Sequence, residues 1–123
     1  MSFVFKLSVP ATTAADGTAT VYSAVFTGKI SQIRYQKTDY ADGVDFVVTV
    51  EGTGEGVWSE NNVNASATRA PRQATHAVDG SASLYAAGGE PVEAQIAVAH
   101  DRLKIVIASG GNAKLGTFHL LVD

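Results

Sequence analysis

Three histidines, a triplet of aspartates and a run rich in arginine and tyrosine are the residues with the most chemistry to offer in this sequence. His76, His100 and His119 are widely separated, and none forms the close H-x-x-x-H pair that sets two imidazoles on one zinc ion. Solvated or partly buried imidazoles are their plainer reading. Asp39, Asp42 and Asp45 crowd around Gly43, and hard oxygen ligands on a turn are the chemistry of calcium. Their spacing is not that of an EF-hand loop, and aspartates equally favour turns by accepting hydrogen bonds from nearby backbone N–H groups. Serines and acids are plentiful, yet there is no G-x-S-x-G elbow, phosphate-binding loop or dinucleotide fingerprint, and Gly52, Gly54 and Gly56 introduce no helix. Two remote carboxylates on a β scaffold could cleave a glycoside, but nothing singles out a pair among the 12 acids. The chain reads as a non-enzyme with no cofactor and no metal.

Binding is better represented than catalysis. The segment Arg34-Tyr35-Gln36-Lys37-Thr38-Asp39-Tyr40 concentrates Arg and Tyr, which anchor protein interfaces, so Arg34, Tyr35, Lys37 and Tyr40 are candidate contact residues. A solvated strand end has the same composition. Arg69 and Arg72, around Pro71, form a second candidate surface, with the solvated reading favoured. Phe3 and Phe5 form a third, because an N-terminal strand either edges its own sheet or adds to the sheet of a neighbouring subunit. Either arrangement buries both phenylalanines. Trp58 is expected in the core rather than as a ligand platform.

These candidates must be positioned by one domain. The 123 residues contain no composition shift or charged linker. An apolar content of 46% is enough for a shared core, and the absence of cysteine leaves stability to packing. A net charge of −3 gives no global positive field, so nucleic acid is disfavoured as a partner. No apolar run approaches the ~18 residues of a membrane-spanning helix, and a membrane partner is not expected. The first residues alternate Phe3, Phe5, Leu7 and Val9 with mostly polar neighbours, which is the pattern of a strand and not of a signal peptide.

Most of the sequence follows a period of two, the signature of strands with one buried face. Strands are expected over residues 1–9, 18–27, around Ile30, Ile33 and Tyr35, and over Val44 to Val50, the best central candidate. Asp16-Gly17 and Asp42-Gly43 mark turns, and Gly28 a bulge or turn. Val57 and Trp58 return the chain to the core before a long polar loop from Ser59 to Thr68. Pro71 makes Arg72 to Val78 an edge strand, and Ser83 to Ala86 a further short one. Residues Val92 to Val98, Arg102 to Ala108 and Gly116 to Val122 complete the set, with turns at His100-Asp101 and from Ser109 to Lys114. Ile96 and Val98, then Leu103, Ile105 and Ile107, favour period two over a helix. The fold class is all-β: a two-sheet antiparallel β-sandwich or jelly roll comprising residues 1–123.

Four stretches carry a resemblance: Phe26 through Ile30, Val44 to Val50, Arg69 to Gln73 around Pro71, and Arg102 through Gly111 to the Gly116–Val122 strand. With these the chain resembles small β-rich virion proteins of tailed bacteriophages, namely capsid decoration or cement proteins and head–tail components. The resemblance spans most of the chain without a specific motif, and no binding residue transfers by position. It implies a module that reinforces a repetitive shell. Its partners would be the major capsid protein or another virion protein and other copies of itself, and its location the virion after synthesis in the host cytoplasm. The alternative is a carbohydrate- or receptor-binding β module in which Trp58, Tyr35 or Tyr40 presents an aromatic face.

Overall fold

The computed structural model describes residues 4–123. Their hydrophobic alternation resolves into ten strands and no helix: β1 (Phe5–Thr12), β2 (Ala19–Tyr22), β3 (Phe26–Lys37), β4 (Asp45–Val50), β5 (Gly56–Glu60), β6 (Ala67–Arg69), β7 (Arg72–Ala74), β8 (Glu93–Asp101), β9 (Leu103–Ala108) and β10 (Leu115–Val122). They form two antiparallel sheets. The first has the order β1-β10-β3-β8-β7, with β6 also paired to β3, and the second has the order β2-β9-β4-β5. The all-β sandwich expected from the sequence is the observed class.

Between the sheets lies a core of inward-facing residues: Val9, Ile33, Tyr35, Phe118 and Leu120 from the first sheet, Phe46, Val48, Ile105 and Ile107 from the second. At its centre Phe46 meets Tyr35 edge-on at 4.7 Å, Phe118 at 4.9 Å and Trp58 at 5.4 Å between ring centroids. Edge-to-face contacts of this kind set the positive rim of one ring on the negative face of another.

Several expected boundaries move because strands change sheets. The run 18–27 is two strands, since Ser23 turns the chain from the second sheet into the first. Ser23 N–H donates to the Leu103 carbonyl (3.0 Å), and its Oγ accepts from Leu103 N–H (3.0 Å). Val25, expected on the face of Val21, is left exposed and Phe26 is buried instead. At Gly28 the β3–β8 register shifts as anticipated, and a Cβ there would strike Val122 and the Asp123 carbonyl. Strand β1 continues through Pro10 to Thr12, which an edge position tolerates because one of its sides has no ladder to lose. The polar loop is shorter than expected, because β5 extends to Glu60 and β6 begins at Ala67. Only Arg72–Ala74 of the proposed 72–78 strand pairs along β8. Residues 83–86 contribute only an isolated bridge, Leu84 to Pro91. In turn β8 reaches Asp101, past the expected turn at His100.

Candidate interaction surface

Tyr35 and Tyr40 must be withdrawn from the candidate contact residues, because each is only 2% exposed. Tyr35 follows Ile33 by two along β3 and therefore faces inward with it. Tyr40 closes the crossing from β3 to β4: its hydroxyl donates to the Ala11 carbonyl at 2.6 Å, and its ring lies where a Cβ of Gly116 would sit. Burial pushes the Tyr35 phenol up to about 12 and raises that of Tyr40 further, with the Tyr35 ring beside it contributing. Trp58 is buried as expected, so none of these three presents a sugar-stacking face.

The two hydroxyls differ in one decisive respect. That of Tyr35 is buried without a hydrogen-bond partner among the described residues. An unsatisfied buried group carries its desolvation cost, whereas a bonded one returns it. Urea unfolding should therefore separate the variants: Tyr40→Phe will lose about 1–3 kcal/mol, and Tyr35→Phe will be neutral or more stable by up to ~1 kcal/mol.

The arginines and Lys37 are largely occupied. Arg69 grips Glu60 with two bonds, Nε to Oε1 and Nη2 to Oε2, each 2.7 Å, and Trp58 Nε1–H donates to the same carboxylate at 3.0 Å. This brace ties β6 of one sheet to β5 of the other. Arg72 donates to the Ser31 carbonyl at 3.2 Å, in the gap where β3 has passed β8 and not yet met β6. Lys37 pairs with Asp42 at 3.1 Å and donates to the Asn64 carbonyl at 3.0 Å. Arg34 lies exposed on the outer face of the first sheet, its guanidinium bonded among the described residues only to Gln32. Phe5, expected to be buried, is instead exposed at the start of β1, which edges its own sheet, and Phe3 lies outside the described residues.

The Arg69 and Trp58 hydrogen bonds hold the Glu60 carboxyl at about 2, below its ordinary 4.5. A depressed folded pKa stabilises the fold fully above the unfolded value, and the contribution fades as the pH falls from 4.5 toward 2. Glu60→Gln should lower neutral-pH stability by about 0.5–1 kcal/mol, a value discounted for solvent screening of a partly exposed pair. Its melting temperature should also fall less than the wild type's on acidification, and thermal melts across that pH range check both expectations.

The three aspartates do not converge. Asp39 accepts from Leu115 N–H at 2.6 Å, Asp42 pairs with Lys37, and Asp45 accepts from Asn62 N–H at 3.0 Å. Among the described residues no group of three His, Cys, Asp or Glu side chains is placed to hold a metal ion. A polar hollow of about 520 Å³ lies along Glu60–Arg69, but Asn64, Ser66 and Glu60 in its wall are bonded to Gly43, Lys37 and Arg69.

One constellation was not visible in the sequence. His119 Nδ1 lies 2.9 Å from Ser8 Oγ, and its Nε2 lies 2.9 Å from Gln36 Oε1. Since Oε1 only accepts, Nε2 carries the proton and Ser8 donates to Nδ1, the order of groups in a nucleophilic relay. Its surroundings oppose that chemistry. Partial burial and the cations Lys6 and Arg34 lower the His119 pKa, which disfavours the imidazolium a general base must form, and Gln36 has no charge to stabilise it. The backbone N–H groups of β10 around it are engaged in the β1–β10–β3 ladders. The relay instead laces three strands across an open sheet face.

That face is cationic. Alternate residues of β1, β10 and β3 enter the core, so Lys6, His119, Lys29 and Arg34 point outward, with Leu121 beside Lys6 and Pro10 one row beyond His119 and Arg34. Asp123, which follows β10 and pairs with Lys29 through its backbone, adds a carboxylate there and accepts from Gln95 Nε2 at 3.2 Å.

Between β7 and β8 the chain forms an arm. Thr75 N–H donates to the Val92 carbonyl, Ser83 N–H to that of Thr75 and Val92 N–H to that of Ser83, at 2.8–3.0 Å. Turns at 77–80 and 86–89 close two small hairpins, the first fixed by Asp79 Oδ1 accepting from Ser81 N–H and Oγ–H. No residue from 71 to 95 is buried. Val78 is 110% exposed, Tyr85 77% and Leu84 40%. From Gln73 through Asp101 there is no Lys or Arg, whereas Asp79, Glu90, Glu93 and Asp101 are acidic.

The fold and surface define a β-sandwich with a projecting, coreless acidic arm. No protein-family model matches the chain, and no curated protein matches it.

Proposed function

We propose that this chain is a virion structural protein of the decoration or cement type, which binds the major capsid protein of a phage shell and reinforces it without catalysis. The observation that carries the reading is the arm: the backbone-ordered segment 75–92 between β7 and β8, with no buried residue and exposed Val78, Leu84 and Tyr85. Isolated hairpins are marginal in water, and an exposed aromatic with aliphatic neighbours marks a surface that another protein covers. The strand orders β1-β10-β3-β8 and β2-β9-β4-β5 support it, since they are compatible with a jelly roll, an architecture shared by capsid and lectin domains. The loose likeness to small phage virion proteins supplies the shell as the partner and the virion as the location. Purified chain mixed with phage shells lacking it should co-sediment and saturate at a stoichiometry set by shell symmetry. Failure to co-sediment with shells of its own phage overturns this function.

A further inference from the structure

Opposite charges stand unmatched on two surfaces of the same molecule. Among the described residues three ion pairs form, Lys37–Asp42, Arg69–Glu60 and Arg102–Glu51. Of the remaining Lys and Arg residues, Lys6, Lys29, Arg34 and Arg72 belong to the outer face of the first sheet, and Lys104 and Lys114 lie elsewhere. Arg72 is tied to backbone carbonyls and Arg34 to the neutral Gln32, so neither is neutralised within the chain. On the arm, Asp79 bonds only Ser81 and Glu90 bonds no side chain among the described residues, nor does Glu93, the first residue of β8 at the arm's base. The arm leaves the first sheet between β7 and β8, with β8 between it and the cationic strands, and among the described residues no ion pair joins arm and face within a copy.

We propose that the acidic arm of one copy docks on the cationic outer face of β1, β10 and β3 in a second copy. Glu90, Glu93 and Asp79 meet Lys6, Lys29 and Arg34, while Tyr85 and Leu84 cover Leu121 and Pro10. Charge complementarity selects the occupant: a chain of net charge −3 offers few cationic surfaces, and this face is the one that matches its own arm. Because arm and face are different surfaces, copies associate head to tail and close as a reciprocal pair or a ring. The contact rests on the assembly reading above and adds the identity of one partner. The two fail separately, because co-sedimentation with shells requires no self-association.

Sedimentation velocity of the full chain at low ionic strength tests it, with circular dichroism confirming that each variant is folded. The wild type should be oligomeric and should dissociate as salt is raised. K6E/R34E and E90K/E93K should each weaken association by at least about 100-fold, because like charges then face each other. The combined variant K6E/R34E/E90K/E93K reverses both surfaces and should associate again. A monomeric wild type, double variants that associate as the wild type does, or a monomeric combined variant would each overturn the proposal. If the wild type is monomeric and E90K/E93K loses shell binding, a shell protein occupies the arm and not a second copy.

Discussion

Phe46→Ala will lower the free energy of unfolding by about 3–5 kcal/mol, the range for removing a buried aromatic ring. Phe46 has no exposed surface and lies at the crossing of four other rings, Tyr35, Tyr40, Trp58 and Phe118. Two of these come from β3 and β10 in the first sheet, and Trp58 from β5 in the second. The void therefore opens between the sheets, where neither can close it without breaking its own ladder. Small domains hold only ~5–15 kcal/mol in total, so the variant stands near the limit of folding at body temperature. Urea unfolding should show the reduced midpoint, and near-ultraviolet circular dichroism should lose intensity as the aromatic cluster loosens. Val47→Ala, at the exposed neighbouring position, should cost less than about 0.5 kcal/mol. A loss below about 1 kcal/mol for Phe46→Ala would mean that the rings repack and that the cluster is not the centre of the fold.

Excising the arm will have the opposite profile: almost no change in stability and a complete loss of assembly. Ala74 and Glu93 are register partners on antiparallel strands, so a two-residue Asn-Gly turn can replace residues 75–92 and close a β7–β8 hairpin. Because the arm buries no side chain in the sandwich, its removal should shift the unfolding free energy by less than about 1 kcal/mol. The remaining domain should keep its strand signal in circular dichroism while losing shell binding and self-association together. A fall in stability above about 3 kcal/mol would identify the arm as part of the fold. Retained binding with unchanged stability would remove it from the interaction surface.

The sequence reveals most where alternation and burial coincide. Val44 to Val50 was legible as a central strand because Phe46, Val48 and Val50 repeat on one face and that face is the core. It misled where alternation continued across a change of sheet. From Ala19 to Phe26 the pattern never breaks, yet Ser23 redirects the chain, and its partner Leu103 is 80 positions away. Tyr35 could have been placed inside by its two-residue spacing from Ile33, but the neighbouring Arg and Lys gave the segment an interface-like composition. Tyr40 had no such signal, since its burial depends on the distant Ala11 carbonyl and on Gly116 leaving room for its ring.

The cationic face was illegible for the same reason. Lys6, Arg34 and His119 become neighbours only when β10 pairs with β1 on one side and β3 on the other. The arm left a readable trace in the absence of Lys and Arg from Gln73 through Asp101, with Tyr85 set among small residues and glycines. Composition of that kind also belongs to a plain surface loop. What distinguishes the arm is its ladder of backbone hydrogen bonds, which no local propensity reports.

The proposed virion role is decided by cryo-electron microscopy of native particles isolated from cells that make this chain. Ordered, symmetry-related copies are expected on a shell, with density for Val78, Leu84 and Tyr85 pressed against a neighbouring protein and the aromatic core enclosed. Particles with no ordered copies, or copies whose arm projects into solvent, would contradict it.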